Sequence, residues 1–498
     1  VNARPLDDDL RLGTDYDPWQ PETHFQFPKD HGSFADATLR CVGVGKCRRL
    51  NGEGDQDTMC PSFMVTREER HSTRGRAHLL WEMLRSDKVP IKRRFRDENV
   101  KEALDLCMSC KGCKGDCPVN VDVATYKAEF LSHYYEGRLR PRHAYAFGLI
   151  DRWARLASVM PGLVNWLTQS VVSRGTLKAL AGMTQQRAIP TFAPETFRAW
   201  FERRPLVNGT RERVVLWPDT FNNHFYSDTA RAATEVLEAL GFEVIIPKKK
   251  LCCGRPLYDY GMLDTAKVYL ERILRVMQPH LEAGTPIVVL EPSCASVFRD
   301  ELPNLMPERE AGKRLTAQTL LLSEFLLKHA ADRLPRLERL AIVQGHCHHK
   351  SVLGFDQQKQ VFEKMGLDVS QPASGCCGLA GSFGFEADRY QISSDCGERV
   401  ILPAVRKADE GVLILADGFS CRTQIEQGTG RRALHLAEAL KLALEPAHAK
   451  AAVHPDRQIA ARRNLAVTHS VRRARIATGA GLLAIAGIGA LLMAHRRN

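Results

Sequence analysis

Laid on itself at an offset of about 125 residues, the chain repeats. Gly241, Phe242, Glu243, Val244 and Pro247 lead into Cys252-Cys253-Gly254 as Gly366, Leu367, Asp368, Val369 and Pro372 lead into Cys376-Cys377-Gly378. An apolar strand precedes each copy, at 214–217 and 341–343. After each come a helix, a second strand at 287–290 or 412–415, and a closing cysteine, Cys294 or Cys421. Strand alternating with helix predicts two α/β units. The cysteines then fall beyond the C-terminal ends of strands, where open α/β sheets hold their ligands.

The copies are unequal. The second offers Cys347, Cys376, Cys377 and Cys421, whereas the position matching Cys347 in the first is Thr220, leaving Cys252, Cys253 and Cys294. Adjacent cysteines strain a single tetrahedral ion but suit a multi-iron cluster in which each thiolate takes a different iron, with zinc the alternative at the repeats. His346, His348 and His349 flank Cys347. Neighbouring histidines point different ways, so at most one is expected to meet a metal or substrate, the others being solvated loop residues. Cys396 fits neither copy and reads as a buried apolar thiol.

Upstream, Cys107, Cys110, Cys113 and Cys117-Pro118 form a C-x2-C-x2-C-x3-C-P run, the ligand spacing of a ferredoxin-type 4Fe-4S cluster. A zinc knuckle would pair two C-x2-C units across a longer gap. A second, imperfect run precedes it: Cys41, Cys47 and Cys60-Pro61, with Val44 where a regular run has cysteine and an insertion at 51–58. Exchanging fourth ligands, as two-cluster ferredoxins do, gives a complete set of Cys107, Cys110, Cys113 and Cys60 and an incomplete one of Cys41, Cys47 and Cys117. One 4Fe-4S cluster is expected. The incomplete set leaves room for a three-iron cluster, a four-iron cluster with a non-thiolate ligand, or nothing, and a single cluster on Cys107 to Cys117 alone stays open. Apolar residues three and four apart at 76–84, 100–106 and 123–135 make this a small helical domain. The stripe carrying Tyr145, Phe147, Trp153, Met160 and Trp166 reads first as core and second as a docking face for a partner or membrane.

Fifteen cysteines in 498 residues, an odd number set in clusters behind a polar start, point to reduced cytoplasmic thiols and not to a secreted disulfide scaffold. The net charge of +12 is scattered, with local excess at 67–76, 92–96 and 462–475 and no module for reading bases, so nucleic acid is not an expected partner. Residues 476–494 carry no charge and are flanked by Arg472, Arg473 and Arg475 before and Arg496 and Arg497 after. As a helix they reach about 28 Å, enough to span a bilayer and hold the body on the cytoplasmic face, with a buried or peripheral helix as the alternative.

Two ferredoxin-type runs followed by two Cys-Cys-Gly repeats resemble the iron–sulfur half of bacterial FAD-linked 2-hydroxyacid dehydrogenases. The repeats are also similar to those of heterodisulfide reductase and glycolate oxidase iron–sulfur subunits. The likeness covers 1–445, and its specific marks are Cys60-Pro61-Ser62-Phe63, His71-Ser72-Thr73-Arg74-Gly75-Arg76-Ala77 and the stretch 106–119. In fused members of that family an FAD domain related to vanillyl-alcohol oxidase precedes this part, oxidises D-lactate, glycolate or D-2-hydroxyglutarate, and hands on the electrons. No glycine-rich segment able to cradle a pyrophosphate lies ahead of Cys41, so the resemblance implies FAD on a partner subunit or domain. It also puts His71, Arg74 and Arg76 near the flavin interface, although the residues alone equally make a charged helix start that ties down the loop after Cys60.

The expected fold is α + α/β. A tail of, or interface to, a flavin domain (1–36) leads into a helical ferredoxin-like domain (37–137) and a helical linker (138–205). A degenerate cysteine-rich repeat (206–335), a second repeat (336–447), a basic linker (448–475) and a transmembrane helix (476–494) follow. The expected function is electron transfer from a flavin-containing dehydrogenase to a membrane quinone or cytochrome. The alternatives are a heterodisulfide reductase-like thiol/disulfide reductase acting at the second repeat, or a zinc-stabilised interaction module.

Overall fold

Seven short strands form two parallel sheets, one per repeat. In the first, β1 (Arg213–Trp217) lies between β2 (Glu243–Ile245) and β3 (Ile287–Val289), and β4 (Thr319–Leu321) pairs with β3. In the second, β5 (Leu340–Val343) lies between β6 (Asp368–Ser370) and β7 (Leu413–Leu415). Val215 faces Ile245 on one side and Ile287 on the other, as Ile342 faces Ser370 and Ile414. The two sheets therefore repeat one register, with β4 added to the first. Strands β1, β3 and β7 read as apolar runs because they are covered on both faces. Residues 214–217 and Leu413–Leu415 are buried throughout, while edge strand β6 exposes Asp368 and Ser370.

The computed structural model describes residues 18–49, 58–85, 90–205, 212–445 and 454–495, with side chains as far as residue 478 except 91 and 92. Helix Ser227–Ala239 crosses from β1 to β2 and packs on helix Leu436–Leu444. Val214, Leu216 and Val288 of one sheet share a core with Ala341, Val343, Leu413 and Leu415 of the other. The two repeats thus bury their apolar faces in common.

The ferredoxin-type runs sit among short helices, including Pro61–Thr66, Thr73–Arg85, Gly112–Asp116 and Val123–Tyr134. This part shares a core with repeat 1: Phe34, Leu80, Tyr126 and Phe130 meet Leu263, Leu270 and Phe298. The described part of the segment expected as a flavin-domain tail packs here too. Phe25 and Phe27 are buried, and the Glu129 carboxylate accepts the backbone N–H groups of His24 and Phe25, both at 2.9 Å. The helical segment after residue 138 divides the apolar stripe. Phe147 is packed against Phe385, whereas Trp153 and Met160 are 50% and 58% exposed, so core packing accounts for only part of it.

Helix Pro455–His495 is continuous, and its described part lies along helix Pro161–Gln169. A Cβ on Gly162 would stand 2.4 Å from the Ser470 carbonyl, so glycine sets that approach. The expected membrane span at 476–494 falls mostly outside the residues whose side chains are described. Among the described residues no helix is long and apolar enough to cross a membrane.

Candidate metal centre

In the Cys107 to Cys117 loop, Ser109 and Lys111 both take left-handed backbone conformations, with φ of 49° and 60°. The turn brings Cys107, Cys110 and Cys113 inward, all buried, and leaves Cys117 partly exposed. Burial pushes the Cys110 thiol up, and the neighbouring Cys347 and Cys113 sulfurs add to it; burial likewise raises Cys113 to about 12. Lys127 Nζ donates to the Cys107 carbonyl at 2.6 Å and pins one end of the loop. Lys111 is 1% exposed, its ammonium 3.1 Å from Asp122, 2.8 Å from Asp300 and 3.4 Å from Glu301. Burial alone would raise Asp122, but Lys111 and Lys114 outweigh it and hold the carboxyl below its usual range.

The imperfect run is organised by a helix start. Thr73 N–H donates to Cys60 Sγ at 2.9 Å and Arg74 N–H to Cys47 Sγ at 3.4 Å, so the first turn of helix Thr73–Arg85 serves two sulfurs. A helix N-terminus favours negative charge. Cys47 falls to about 6, first through its hydrogen bond with Cys60 and, against burial, with help from the Arg74 amide. Cys60 is pushed up by burial. The Cys60 sulfur contacts Thr73 Oγ1 at 2.9 Å and lies beside Cys47. Its loop does touch the second run: Asp116 accepts the amides of Thr58 and Met59 at 2.7 and 2.9 Å. Val44, in place of the missing cysteine, is 59% exposed.

Of the two expectations for His71, Arg74 and Arg76, the contacts within the chain are those of a helix start that ties down the loop after Cys60. His71 and Arg76 are both 3% exposed. Arg76 donates to the Ala103 carbonyl and the Ser62 hydroxyl, and His71 is bonded to Thr66, so both fasten the segment after Cys60 into the fold. Of the three, Arg74 alone is partly exposed, paired with Glu69 at 2.7 Å.

The repeats carry the same Cys-Cys-Gly turn. Gly254 and Gly378 both have positive φ, and each returns its N–H to the first cysteine of its pair at 3.5 Å. Around the second turn Cys347, Cys376, Cys377 and Cys421 are buried together. Cys347 is lowered to about 6 by its hydrogen bond with Cys376, and Cys377 is lowered by bonds with Cys376 and Cys421; His346 assists both, and Lys350 assists Cys347. Around the first turn Cys253 and Cys294 sulfurs lie 2.8 Å apart. There every thiol is raised: Cys252 by its bond with Cys253 and by burial, Cys253 by burial, and Cys294 by burial to about 12. His346, His348 and His349 are all buried, not solvated.

The four sulfurs of repeat 2 fit an iron–sulfur group: a closed cradle, mutual thiol partners, and two members held toward thiolate. Among the described residues no three Cys, His, Asp or Glu side chains surround one point as a single ion requires, and nothing supports zinc.

One backbone atom joins the three regions. The Ser109 carbonyl, between Cys107 and Cys110, accepts from His348 Nε2 at 2.9 Å and Arg255 Nη2 at 3.2 Å. His348 follows Cys347, and Arg255 follows Cys252-Cys253-Gly254. Cys110, Cys347 and Cys376 consequently share one buried cluster with Met108 and Phe383. Gly115 marks the same close approach, since a Cβ there would sit 2.3 Å from the Ser351 carbonyl. Neither Ser109 nor Arg255 stands out in the sequence, although the position of Arg255 directly after a Cys-Cys-Gly turn is a signal that could have marked it.

Comparison with known proteins matches residues 37–121 to a 4Fe-4S dicluster domain and residues 219–299 to a cysteine-rich domain. D-2-hydroxyglutarate dehydrogenase of Pseudomonas putida is 27% identical over 447 residues, covering 81% of this chain and 43% of that protein. One subunit of the anaerobic glycerol-3-phosphate dehydrogenase of Escherichia coli is 25% identical over 301 residues, 58% of this chain and 75% of that protein. Lactate utilization protein A of Bacillus subtilis is 28% identical over 243 residues, 46% of this chain and 98% of that protein. The chain spans less than half the length of the D-2-hydroxyglutarate dehydrogenases it matches. Residues 37–121 and 219–299 are thus similar to an iron–sulfur dicluster domain and a cysteine-rich domain, and the relatives include a dehydrogenase, a dehydrogenase subunit and a lactate utilization protein.

Proposed function

We propose that the chain is the iron–sulfur electron-transfer component of an FAD-linked 2-hydroxyacid dehydrogenase of the D-lactate, glycolate or D-2-hydroxyglutarate class. It takes electrons from flavin on a partner domain or subunit and passes them to a quinone or cytochrome at the cytoplasmic face of the membrane. The observation that carries this reading is the junction at Ser109, where the ferredoxin-type loop is hydrogen-bonded to both repeats and Cys110 lies in one buried cluster with Cys347 and Cys376.

Cys107, Cys110 and Cys113, with Cys117 or Cys60, would hold one cluster, and Cys347, Cys376, Cys377 and Cys421 a second. Bound there, such clusters supply one-electron steps at potentials set by hydrogen bonds and burial. The chain's own residues fix the spacing. Lys127 holds the Cys107 carbonyl, Arg255 and His348 hold that of Ser109, and Lys111 locks the loop onto repeat 1.

Low-temperature electron paramagnetic resonance of the anaerobically purified chain, before and after dithionite, tests this. A fast-relaxing signal from a reduced four-iron cluster, lost in Cys110→Ser, is expected. Silence in both states from folded protein that retains its metal would overturn the reading.

A further inference from the structure

We propose that the cavity between the two repeats binds the acceptor, and that the acceptor is a lipid-soluble quinone. This rests on the electron-transfer reading and chooses between its two acceptors. The cavity measures about 160 Å³. A dry apolar cavity of about 150 Å³ takes a benzene ring, so the size suits one six-membered ring with its tail outside.

Its walls are Phe147, Phe192, Phe221, Phe225, Phe385 and Phe419. Phe221 stacks on Phe419 at 4.4 Å, joining repeat 1 to repeat 2 across the cavity. The repeats contribute matching positions: Ser293 and Ser420, each one residue before its closing cysteine, both line it. Of the candidate ligands only Cys347, from the complete set, reaches the lining. The cavity therefore opens onto the cysteines of repeat 2.

Two polar groups on the lining are uncommitted. Ser420 Oγ accepts from the Gly381 amide at 2.9 Å, leaving its hydroxyl proton free to donate to a carbonyl oxygen. His348 donates Nε2–H to Ser109, and its Nδ1 is buried without a hydrogen-bond partner among the described residues, free to accept from a hydroxyl. A quinone offers the carbonyl and its quinol the hydroxyl, so both redox forms find a partner. The reaction balances as quinone plus two electrons from the chain, released when the 2-hydroxy acid becomes a 2-oxo acid, plus two protons from water, giving quinol.

The rim contributed by the segment after residue 138 is apolar, while the repeats add the partly exposed Asp259, Ser382 and Ser420. Phe147, Ile150, Ile189 and Pro190 are the partly exposed lining residues of the segment after residue 138. Helix Ile150–Ala157 continues from this rim into Trp153 and Leu156, 50% and 67% exposed. A cytochrome docks by complementary surface charge and cannot enter such a cavity, whereas a prenylated ring can.

The test is calorimetric titration of the full chain with decylubiquinone, alongside the resonance measurement on the same preparation. Saturable one-to-one binding is expected, weakened at least tenfold in Phe419→Trp and in Ala380→Phe, both of which fill the cavity. Photolabelling with an azidoquinone should mark peptides containing Phe221 or Phe419. Protein that shows the cluster signal but binds no decylubiquinone, or binds it equally well in both variants, overturns the inference and leaves the electron-transfer reading standing. Absence of the cluster signal overturns the reading itself.

Discussion

Repeats 1 and 2 share a strand register and a Cys-Cys-Gly turn, yet only in repeat 2 are two of the buried thiols, Cys347 and Cys377, lowered, first through hydrogen bonds with Cys376, while Cys376 and Cys421 are raised. In repeat 2, His346 and Lys350 approach the cysteines, and Cys347 and Cys377 are held toward thiolate. In repeat 1 all three thiols are raised, Cys294 chiefly by burial and further by the carboxylates of Asp219 and Glu291. What repeat 1 contributes instead is Arg255, Asp300 and Glu301, the groups that grip the ferredoxin-type loop. One backbone plan thus carries buried cysteines in both copies, and in repeat 1 it also anchors the ferredoxin-type loop.

The contrast should be largest in metal retention. Cys377→Ser is expected to strip iron and cut electron flow from dithionite to decylubiquinone by more than the roughly 100-fold that outer-shell changes cost at metal sites. Cys253→Ser should alter either by less than about threefold, because ligands and supporting groups are not equivalent in such sites. Iron analysis and stopped-flow absorbance on the paired variants would break the comparison if both lost iron equally.

Anchoring is tested next. Lys111→Met removes the central ammonium from Asp122, Asp300 and Glu301, leaving Lys114 and Arg255 to compensate in part, so the loss is expected below the roughly 3–5 kcal/mol of a fully broken buried ion pair. Urea denaturation of wild type and variant measures it directly.

A pH effect belongs to repeat 1. His224 is 4% exposed, bonded to Ser158 and Asn223, and burial, aided by Arg155 and Lys250, lowers it from 6.5 to about 4. The unfolded chain therefore takes up a proton that the folded chain refuses. The stability due to this group is complete above pH 6.5 and is lost as pH falls toward 4, by about 3 kcal/mol at 1.36 kcal/mol per unit. Denaturation midpoints between pH 4 and 7 should fall less steeply in His224→Gln.

The smallest contrast separates the two turn glycines. Alanine at Gly254 meets nothing closer than Leu257 at 3.4 Å and bears only the left-handed backbone cost of about 1–2 kcal/mol. At Gly378 its Cβ would lie 2.3 Å from the Ser393 carbonyl and 2.7 Å from Cys396, adding roughly 1–3 kcal/mol of overpacking. Thermal melts of Gly254→Ala and Gly378→Ala would sharpen or erase that difference.

Spacing made much of this legible. The 125-residue repeat announces two α/β units, and the structure sets the cysteines beyond β2, β3, β6 and β7 in the same order. The inequality of the copies was visible as Thr220 against Cys347. What spacing could not show was packing between distant segments. Lys111 reads as a solvated charge until Asp300, 189 residues away, closes over it. Pattern offers Cys60 as a fourth ligand to the second run, but it could not show that the Thr73 amide at a helix start donates to this sulfur or that Cys47 lies beside it. His71 and Arg76 read either as groups near a flavin interface or as a helix start that ties down the loop after Cys60, and spacing alone does not choose between them. They are buried because the hydroxyls of Ser62 and Thr66 and the carbonyl of Ala103 lie within reach.

The Lys111 contact also orders events in time. On the ribosome, at about 5–20 residues per second, Asp300 emerges roughly 10–40 s after Lys111. Throughout that interval the loop from Cys107 to Cys117 lacks two of the three carboxylates that fasten it, and its sulfurs face solvent chemistry instead of repeat 1. For the cluster proposed there, that interval, before Asp300 and Glu301 close over Lys111, is when the loop would be most open to iron.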